Sequence, residues 1–268
     1  MTALMLIRGG GDLASGVALR LHRAGLQVVI TELPQPLAVR RTVSFAEAIY
    51  AGQITIEGVI GRAVEDPGDT TRVRGLAAAG DIPVLADPGC ASAAALLPLV
   101  VVEARMMKRP PGALPYTPRL HLGIGPGLNA PGDVHAVIET RRGHTLGRVI
   151  WNGTSVPDTS QPEGDPRRVL RAPADGILEA HAGIGQHLEI GQAIATVGGI
   201  EIRAPFAGTL RGLMHPGVVV AAGIKVGDLD ARDDPALCAL VSDKALAVGG
   251  GVLEALLTLP DIRGSLWD

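Results

Sequence analysis

Gly9-Gly10-Gly11-Asp12-Leu13-Ala14 carries the plainest chemistry in this sequence. Written Gly9-x-Gly11-x-x-Ala14, it fits the fingerprint by which a loop and a helix N-terminus hold a pyrophosphate, with alanine as the third small residue. One glycine makes a tight turn, and another lets the backbone approach the phosphates. The small third residue lets the helix lie against the strands. The helix N-terminus then offers unpaired N–H groups and a partial positive charge. Glu32 follows 21 residues after Gly11, where a carboxylate can bind a ribose 2′-hydroxyl. Gly9, Gly10, Gly11, Asp12, Ala14 and Glu32 are therefore the candidate cofactor-binding residues, with NAD as one candidate ligand. Asp12 sets a negative charge against the phosphates, so it is expected to cap the helix or to be offset by Arg8. A Rossmann-like turn that binds nothing has the same sequence, since a fold does not establish a ligand.

A second glycine loop, Gly123-Ile124-Gly125-Pro126-Gly127, adds Gly123, Gly125 and Gly127 to the cofactor candidates. Cys90 follows Asp87-Pro88-Gly89, where a helix start would lower its thiol pKa and make it reactive. A small buried apolar group is its ordinary alternative. Asp133, His135, Val137 and Glu139 share one face of a strand over Asp133–Thr140, so a carboxylate there could orient His135 as a base or help hold a metal. Three such groups are too sparse for a metal site, and neither HExxH nor CxxC occurs, so no metal is assigned. Arg40-Arg41 is read as a solvated basic pair, and Arg141-Arg142 with His144 as an exposed turn. Cys90, His135 and Asp133 remain the catalytic candidates, and whether the chain is an enzyme stays open.

The elements that must position these residues alternate. Leu4–Ile7 reads as a buried strand, Asp12 to Gly25 as a helix with Leu13, Val17 and Leu21 on one face, and Val28–Ile30 as the next strand. Ser44-x-x-Glu47 is a capping box opening a short helix. Ile54–Val64 is a strand or strand pair, Thr70–Ala79 a helix, and Ile82–Ala86, Leu99–Val102 and Leu120–Leu122 are further strands. Apolar strands alternating with helices argue for a parallel sheet covered on both faces. Ligands sit beyond the carboxyl ends of such strands, which puts Gly9–Asp12, Glu32 and Asp87–Cys90 on one rim. Pro110–Pro118 is a linker or an extended crossing.

A duplication follows. Ala172-Pro173-Ala174-Asp175-Gly176-Ile177-Leu178 returns 32 residues later as Ala204-Pro205-Phe206-Ala207-Gly208-Thr209-Leu210, and Gly185 and Gly191 return as Gly217 and Gly223. Neither half could bury its strands alone, so two halves interlock in a flattened barrel. The pattern resembles the biotinyl/lipoyl, or barrel-sandwich, domain, whose carrier members display a lysine on the hairpin between the halves. Here that hairpin, Val197–Ile202, has none, and Lys225 lies well past it. In the tail, Gly249-Gly250-Gly251 interrupts an apolar segment from Lys244 to Leu259, marking a helix break or a close backbone approach. The fold expected is thus α/β: a Rossmann-like parallel-sheet domain over 1–165, with 232–268 packing back on it, plus a small all-β barrel-sandwich domain over 168–231.

Composition narrows the function classes. A net charge of −3 argues against nucleic acid or an anionic membrane as partner. Cys90 and Cys238 form no disulfide framework. No apolar run reaches membrane-helix length, and a cytoplasmic location is expected. Aromatic residues are 2% of the chain, so Val, Leu, Ile and Ala must build the cores.

The blocks Gly9–Gly16, Thr31-Glu32-Leu33, Pro36–Phe45, Asp133–Thr140 and Ser242–Ala247, in order over about residues 5 to 257, resemble the selenium-dependent molybdenum hydroxylase system protein family, YqeB-type. The resemblance implies a role in maturing molybdenum hydroxylases that carry a labile selenium-containing cofactor. It makes a molybdopterin dinucleotide a second candidate ligand and a molybdenum hydroxylase a candidate partner. It supplies no catalytic residues. Three readings follow: an accessory protein that binds a nucleotide-bearing cofactor, an NAD-dependent small-molecule oxidoreductase, and a non-enzymatic docking scaffold. Homo-oligomerisation is left open.

Overall fold

The computed structural model describes residues 2–157 and 164–267. The expected domain boundary at 165–168 follows residues 158–163, which lie outside the described residues. The front unit is built on β1 (Leu4–Arg8), α1 (Asp12–Arg23), β2 (Gln27–Glu32), α2 (Ala48–Ala51), the hairpin β3 (Gln53–Ile56) and β4 (Val59–Val64), and α3 (Thr70–Ala78). Then come β5 (Ile82–Ala86), α4 (Ala93–Leu96), β6 (Val100–Glu103), β7 (Leu120–Ile124), β8 (Asn129–Ala130), β9 (Ala136–Ile138), β10 (Val149–Ile150) and β11 (Gly153–Thr154).

Nine of these strands form one sheet in the order β10-β9-β7-β6-β1-β2-β5-β4-β3. Seven of them, β9-β7-β6-β1-β2-β5-β4, are parallel neighbours. Apart from β4, which joins the outer side of β5, they follow the 3-2-1-4-5-6 order of Rossmann-like sheets, with the topological switch between β1 and β6. Strand residues alternate between two dry layers. Met5, Ile7, Val28, Ile30, Val102 and Leu122 face one way into the larger core, while Leu4, Leu6, Val29, Leu85 and Val101 pack the other way with Val73 and Leu96. The capping box at Ser44 does not form: its hydroxyl donates to the Arg40 carbonyl, Glu47 pairs with Arg41, and a 3-10 turn leads into α2.

The larger core is closed by α5 (Asp243–Thr258), followed by α6 (Pro260–Arg263). Ser242 caps α5 by accepting from the Ala245 N–H at 3.1 Å. The three glycines do not break this helix; two of them, Gly249 and Gly251, let it touch its neighbours. A Cβ on Gly249 would lie 2.6 Å from the Gly16 carbonyl of α1, and one on Gly16 would lie 2.5 Å from the Ala245 backbone. Against expectation, one segment, Pro235–Thr258, does have the length and mean hydropathy (1.6) of a membrane span. Its α-helical part is α5, whose Ala245, Val248, Val252, Ala255 and Leu256 are buried in the front core.

Between these parts lies an all-β module of eight strands: β12 (Val169–Arg171), β13 (Gly176–Ala180), β14 (His187–Leu188), β15 (Ala193–Val197), β16 (Ile200–Arg203), β17 (Gly208–Leu213), β18 (Val219–Val220) and β19 (Lys225–Asp230). They form two sheets, β12-β19-β17-β14 and β16-β15-β13-β18. The sequence repeat maps each strand of one sheet onto a strand of the other, and each sheet draws two strands from each repeat. Neither repeat could therefore close a sheet alone. Leu178, Ile194, Val197, Leu210, Val226 and Leu229 fill the space between, and Val39 and Tyr50 of the front unit pack onto the same cluster.

Candidate functional site

The glycine loop sits where β1 ends and α1 begins, beside the switch point, and three neighbours hold it. The Gly9 N–H donates to the Thr31 carbonyl at 2.7 Å. The Ala46 N–H donates to the Gly10 carbonyl at 2.9 Å, and the Ser15 hydroxyl donates to that oxygen at 3.2 Å while accepting from the Phe45 N–H. A cavity of about 640 Å³ opens over the loop. Gly9, Gly11, Asp12 and Ala14 line one side, Thr31 and Glu32 the end of β2, and Ala104–Met107 with Arg109 the opposite wall beyond β6.

The three loop glycines have different duties. Gly9 has φ +99° and lies 3.3 Å, at Cβ distance, from the backbone of Ala104. Gly10 faces the Ala46 nitrogen at 2.8 Å. Gly11 caps α1 with φ −71° and no side-chain cap bond, and a Cβ there would meet nothing within 4 Å. The first two glycines are required by the protein's own packing. The third has room for a side chain among the described residues and borders the cavity.

Electrostatics depart from expectation. Asp12 is not the helix cap and is not offset by Arg8. It pairs with Arg40 at 3.2 Å, and Arg40 also donates to the Leu237 and Leu240 carbonyls at 3.0 and 2.9 Å. Arg40 is 8% exposed and Arg41 bonds the Leu213 carbonyl at 2.7 Å, so this pair is a structural clasp rather than a solvated one. Glu32 turns back on the loop: its carboxylate accepts from the Gly10 N–H and the Leu33 N–H, both at 2.7 Å. It thus supplies a negative oxygen to one of the loop's own amides. Arg109 lines the wall opposite, and Arg105 does so while chelated by Glu103 at 2.8 and 2.6 Å.

Gly123, Gly125 and Gly127 do not reach this cavity. Gly123 lies within β7 against Leu128, Gly125 packs on Met106 and Thr140, and Gly127 lies on the backbone of Lys108 and Arg109. Gly125 and Gly127 brace the wall that carries Met106 and Arg109 from behind. Cys90 is fully buried and starts no helix, and burial pushes its thiol pKa up, against a nucleophilic role. Asp87 beside it accepts from the Ala91 and Ser92 N–H groups at 2.9 and 2.8 Å. The strand expected over Asp133–Thr140 is only Ala136–Ile138. Asp133 is a turn residue accepting from the Asn129 N–H at 2.9 Å. His135 Nδ1 accepts from the His121 N–H at 2.8 Å, and the buried Glu139 accepts from the Arg141 and Val156 N–H groups at 2.7 Å each. Among the described residues, no carboxylate orients His135.

Sequence reasoning missed Arg105, Arg109 and His121. The switch-point rule applied to the end of β6 would have pointed to the two arginines. His121 sits on β7 at 9% exposure, with Nε2 unpartnered among the described residues and its pKa lowered to about 4, chiefly by burial.

No family model matches the chain. Over 260 residues, 96% of its length, the chain is 44% identical to the uncharacterized protein YqeB of Escherichia coli strain K12, which supports the YqeB-type label. It spans 48% of that relative, about half the relative's length. Among solved structures it is similar, at TM-score 0.26 and 12% identity, to an aspartoacylase family protein from Mesorhizobium loti, over 85% of this chain and 84% of that one. The ectoine utilization protein EutE (DoeB) from Ruegeria pomeroyi gives 0.26 and 13% over 85% of each chain. A succinylglutamate desuccinylase from Silicibacter sp. TM1040 gives 0.25 and 12% over 85% and 84%. Scores this low carry no argument about function.

Proposed function

We propose that this chain binds a nucleotide or nucleotide-bearing cofactor in the glycine-loop cavity, as an accessory protein in the maturation of a molybdenum hydroxylase. The observation that carries the binding reading is Gly11, a glycine whose Cβ position is open, at a helix N-terminus with no side-chain cap bond facing 640 Å³ of space. That is the position where a pyrophosphate needs close backbone approach. A dinucleotide fits the residues present. The α1 N-terminus and Arg109 would hold phosphates, and Glu32 would exchange the Gly10 amide for a ribose hydroxyl. NAD and a molybdopterin dinucleotide are the candidates, and the maturation role rests on the YqeB-type resemblance. The all-β module is proposed as a barrel-sandwich, biotinyl/lipoyl-like unit kept for docking. Its hairpin turns through Gly198-Gly199 into Ile200, and Lys225 lies past it on β19, so the hairpin presents no carrier lysine.

An NAD-dependent oxidoreductase ranks second. Among the described residues lining the cavity there is no histidine, cysteine, tyrosine or lysine to pass a proton to a substrate. The test is a thermal-shift panel with NAD, NADP, ATP, CTP and molybdopterin dinucleotides on the wild type and Gly11→Val. A ligand at 100 times its Kd stabilises the fold by about 2.7 kcal/mol. A shift present in the wild type and absent in Gly11→Val supports the site, and the responding ligand separates the two readings. Absence of any shift would leave the scaffold reading in its place.

A further inference from the structure

A second cavity, of about 300 Å³, opens where the front unit meets the β module and shares Asp12 and Leu13 with the wall of the first. Among the described residues, six cations line it, Arg40, Arg142, Arg168, Arg211, Lys225 and Lys244, with two carboxylates, Asp12 and Asp228. Asp228 is fully buried and receives Arg168 at 2.6 Å, Lys225 at 3.4 Å and the Arg211 Nε at 2.8 Å. Arg40 is matched by Asp12 and Arg142 by Asp243. With Arg142 and Arg168 set aside, Arg211, Lys225 and Lys244 still face, among the described residues of the lining, the single carboxylate of Asp228, while Asp230 outside the cavity also pairs with Arg211. Lys244 has no ion-pair partner among the described residues.

We propose that this junction cavity binds a small phosphate-class anion, separately from whatever occupies the glycine loop. The chain is acidic overall, so a cavity with this cation excess is a local concentration of charge that attracts anions against the net field. Arginine offers planar paired donors for phosphate oxygens, and lysine offers a point charge. Lys225 is partly desolvated, and burial holds its pKa below the usual ammonium range, so an incoming anion restores what the site withholds. The cations come from both units: Arg40, Arg142 and Lys244 from the front, Arg168, Arg211 and Lys225 from the module and its entry. An anion held here therefore bridges them.

Isothermal titration with inorganic pyrophosphate, on the full chain, tests the proposal. The wild type is expected to bind saturably, and Lys244→Met and Lys225→Met to weaken Kd about tenfold or more. Gly11→Val should keep the binding that Lys244→Met loses, whatever pyrophosphate the glycine loop also takes. If Lys225→Met fails to fold, Lys244→Met decides alone, because the Lys244 ammonium has no ion pair among the described residues to lose. No saturable binding to the wild type, or equal binding by Lys244→Met, overturns the proposal. So does loss confined to Gly11→Val, which would place the pyrophosphate in the glycine loop. The nucleotide reading fails or stands on Gly11 alone, so the two outcomes are separable.

Discussion

Gly9, Gly10 and Gly11 are alike in sequence and unlike in what a side chain would meet. Gly10→Ala places a methyl 2.8 Å from the Ala46 nitrogen and is expected to cost about 1–3 kcal/mol of stability. Gly11→Val is expected to cost about 1 kcal/mol, through a poorer helix cap only. Urea denaturation midpoints of the two variants check the contrast; equal losses would mean that Gly11 is a folding glycine and would weaken the case for a ligand. At the same scale His121 makes the fold acid-sensitive. Its pKa is about 4 in the folded chain and about 6.5 when exposed, because burial opposes the imidazolium. Between those values the unfolded chain binds more protons, so stability falls as pH falls through that window. The loss is on the order of 3 kcal/mol when complete. His121→Leu should lose less stability than the wild type between about pH 7 and about pH 4.5. Parallel losses would show that other groups govern the acid limb.

At the scale of elements, the crossing of α1 and α5 is a contact between backbones. Gly16→Val and Gly249→Val should each cost at least about 3 kcal/mol or unfold the protein, since side chains there meet backbone within 2.6 Å. Gly250 lies between two such glycines but faces nothing within 4 Å, and Gly250→Ala should stabilise α5 by about 1 kcal/mol. Chemical denaturation of the three variants tests this directly; a destabilising Gly250→Ala would mean that this face also has a neighbour. These helices also show how far the sequence could be read. The strands of the inner sheet, α1 and the 32-residue repeat were legible because apolar period and glycine punctuation are local properties. The unbroken α5 was not, because three glycines lower helix propensity and only a partner surface reverses that. The duties of Gly123, Gly125 and Gly127 were hidden for the same reason: a glycine packed against another segment of the chain looks like one that waits for a phosphate. Arg40-Arg41 looked solvated because its acceptors, the carbonyls of Leu213, Leu237 and Leu240, lie some 170 to 200 residues away in sequence.

At the scale of the whole molecule, the β module is tied to the front unit at a tight seam. Gly212 of β17 lies 2.9 Å, at Cβ distance, from Val39, and the Arg41 guanidinium donates to the neighbouring Leu213 carbonyl. Gly212→Leu is expected to pry the seam apart, so that one calorimetric unfolding transition becomes two. A single transition at the wild-type Tm would show that the units are not coupled through this contact. The same architecture has a consequence for the order in which the protein is made. The front sheet leaves the ribosome first, yet the helix that covers one of its faces arrives only with residues 243–258. At about 5–20 residues per second, that face waits roughly 5–20 s after β11 has emerged. In the interval the module, whose strand pairings all lie between residues 169 and 230, has all it needs to pair both of its sheets. The middle of the chain thus folds before its beginning, and the newborn protein carries an open apolar flank for longer than most small domains take to fold.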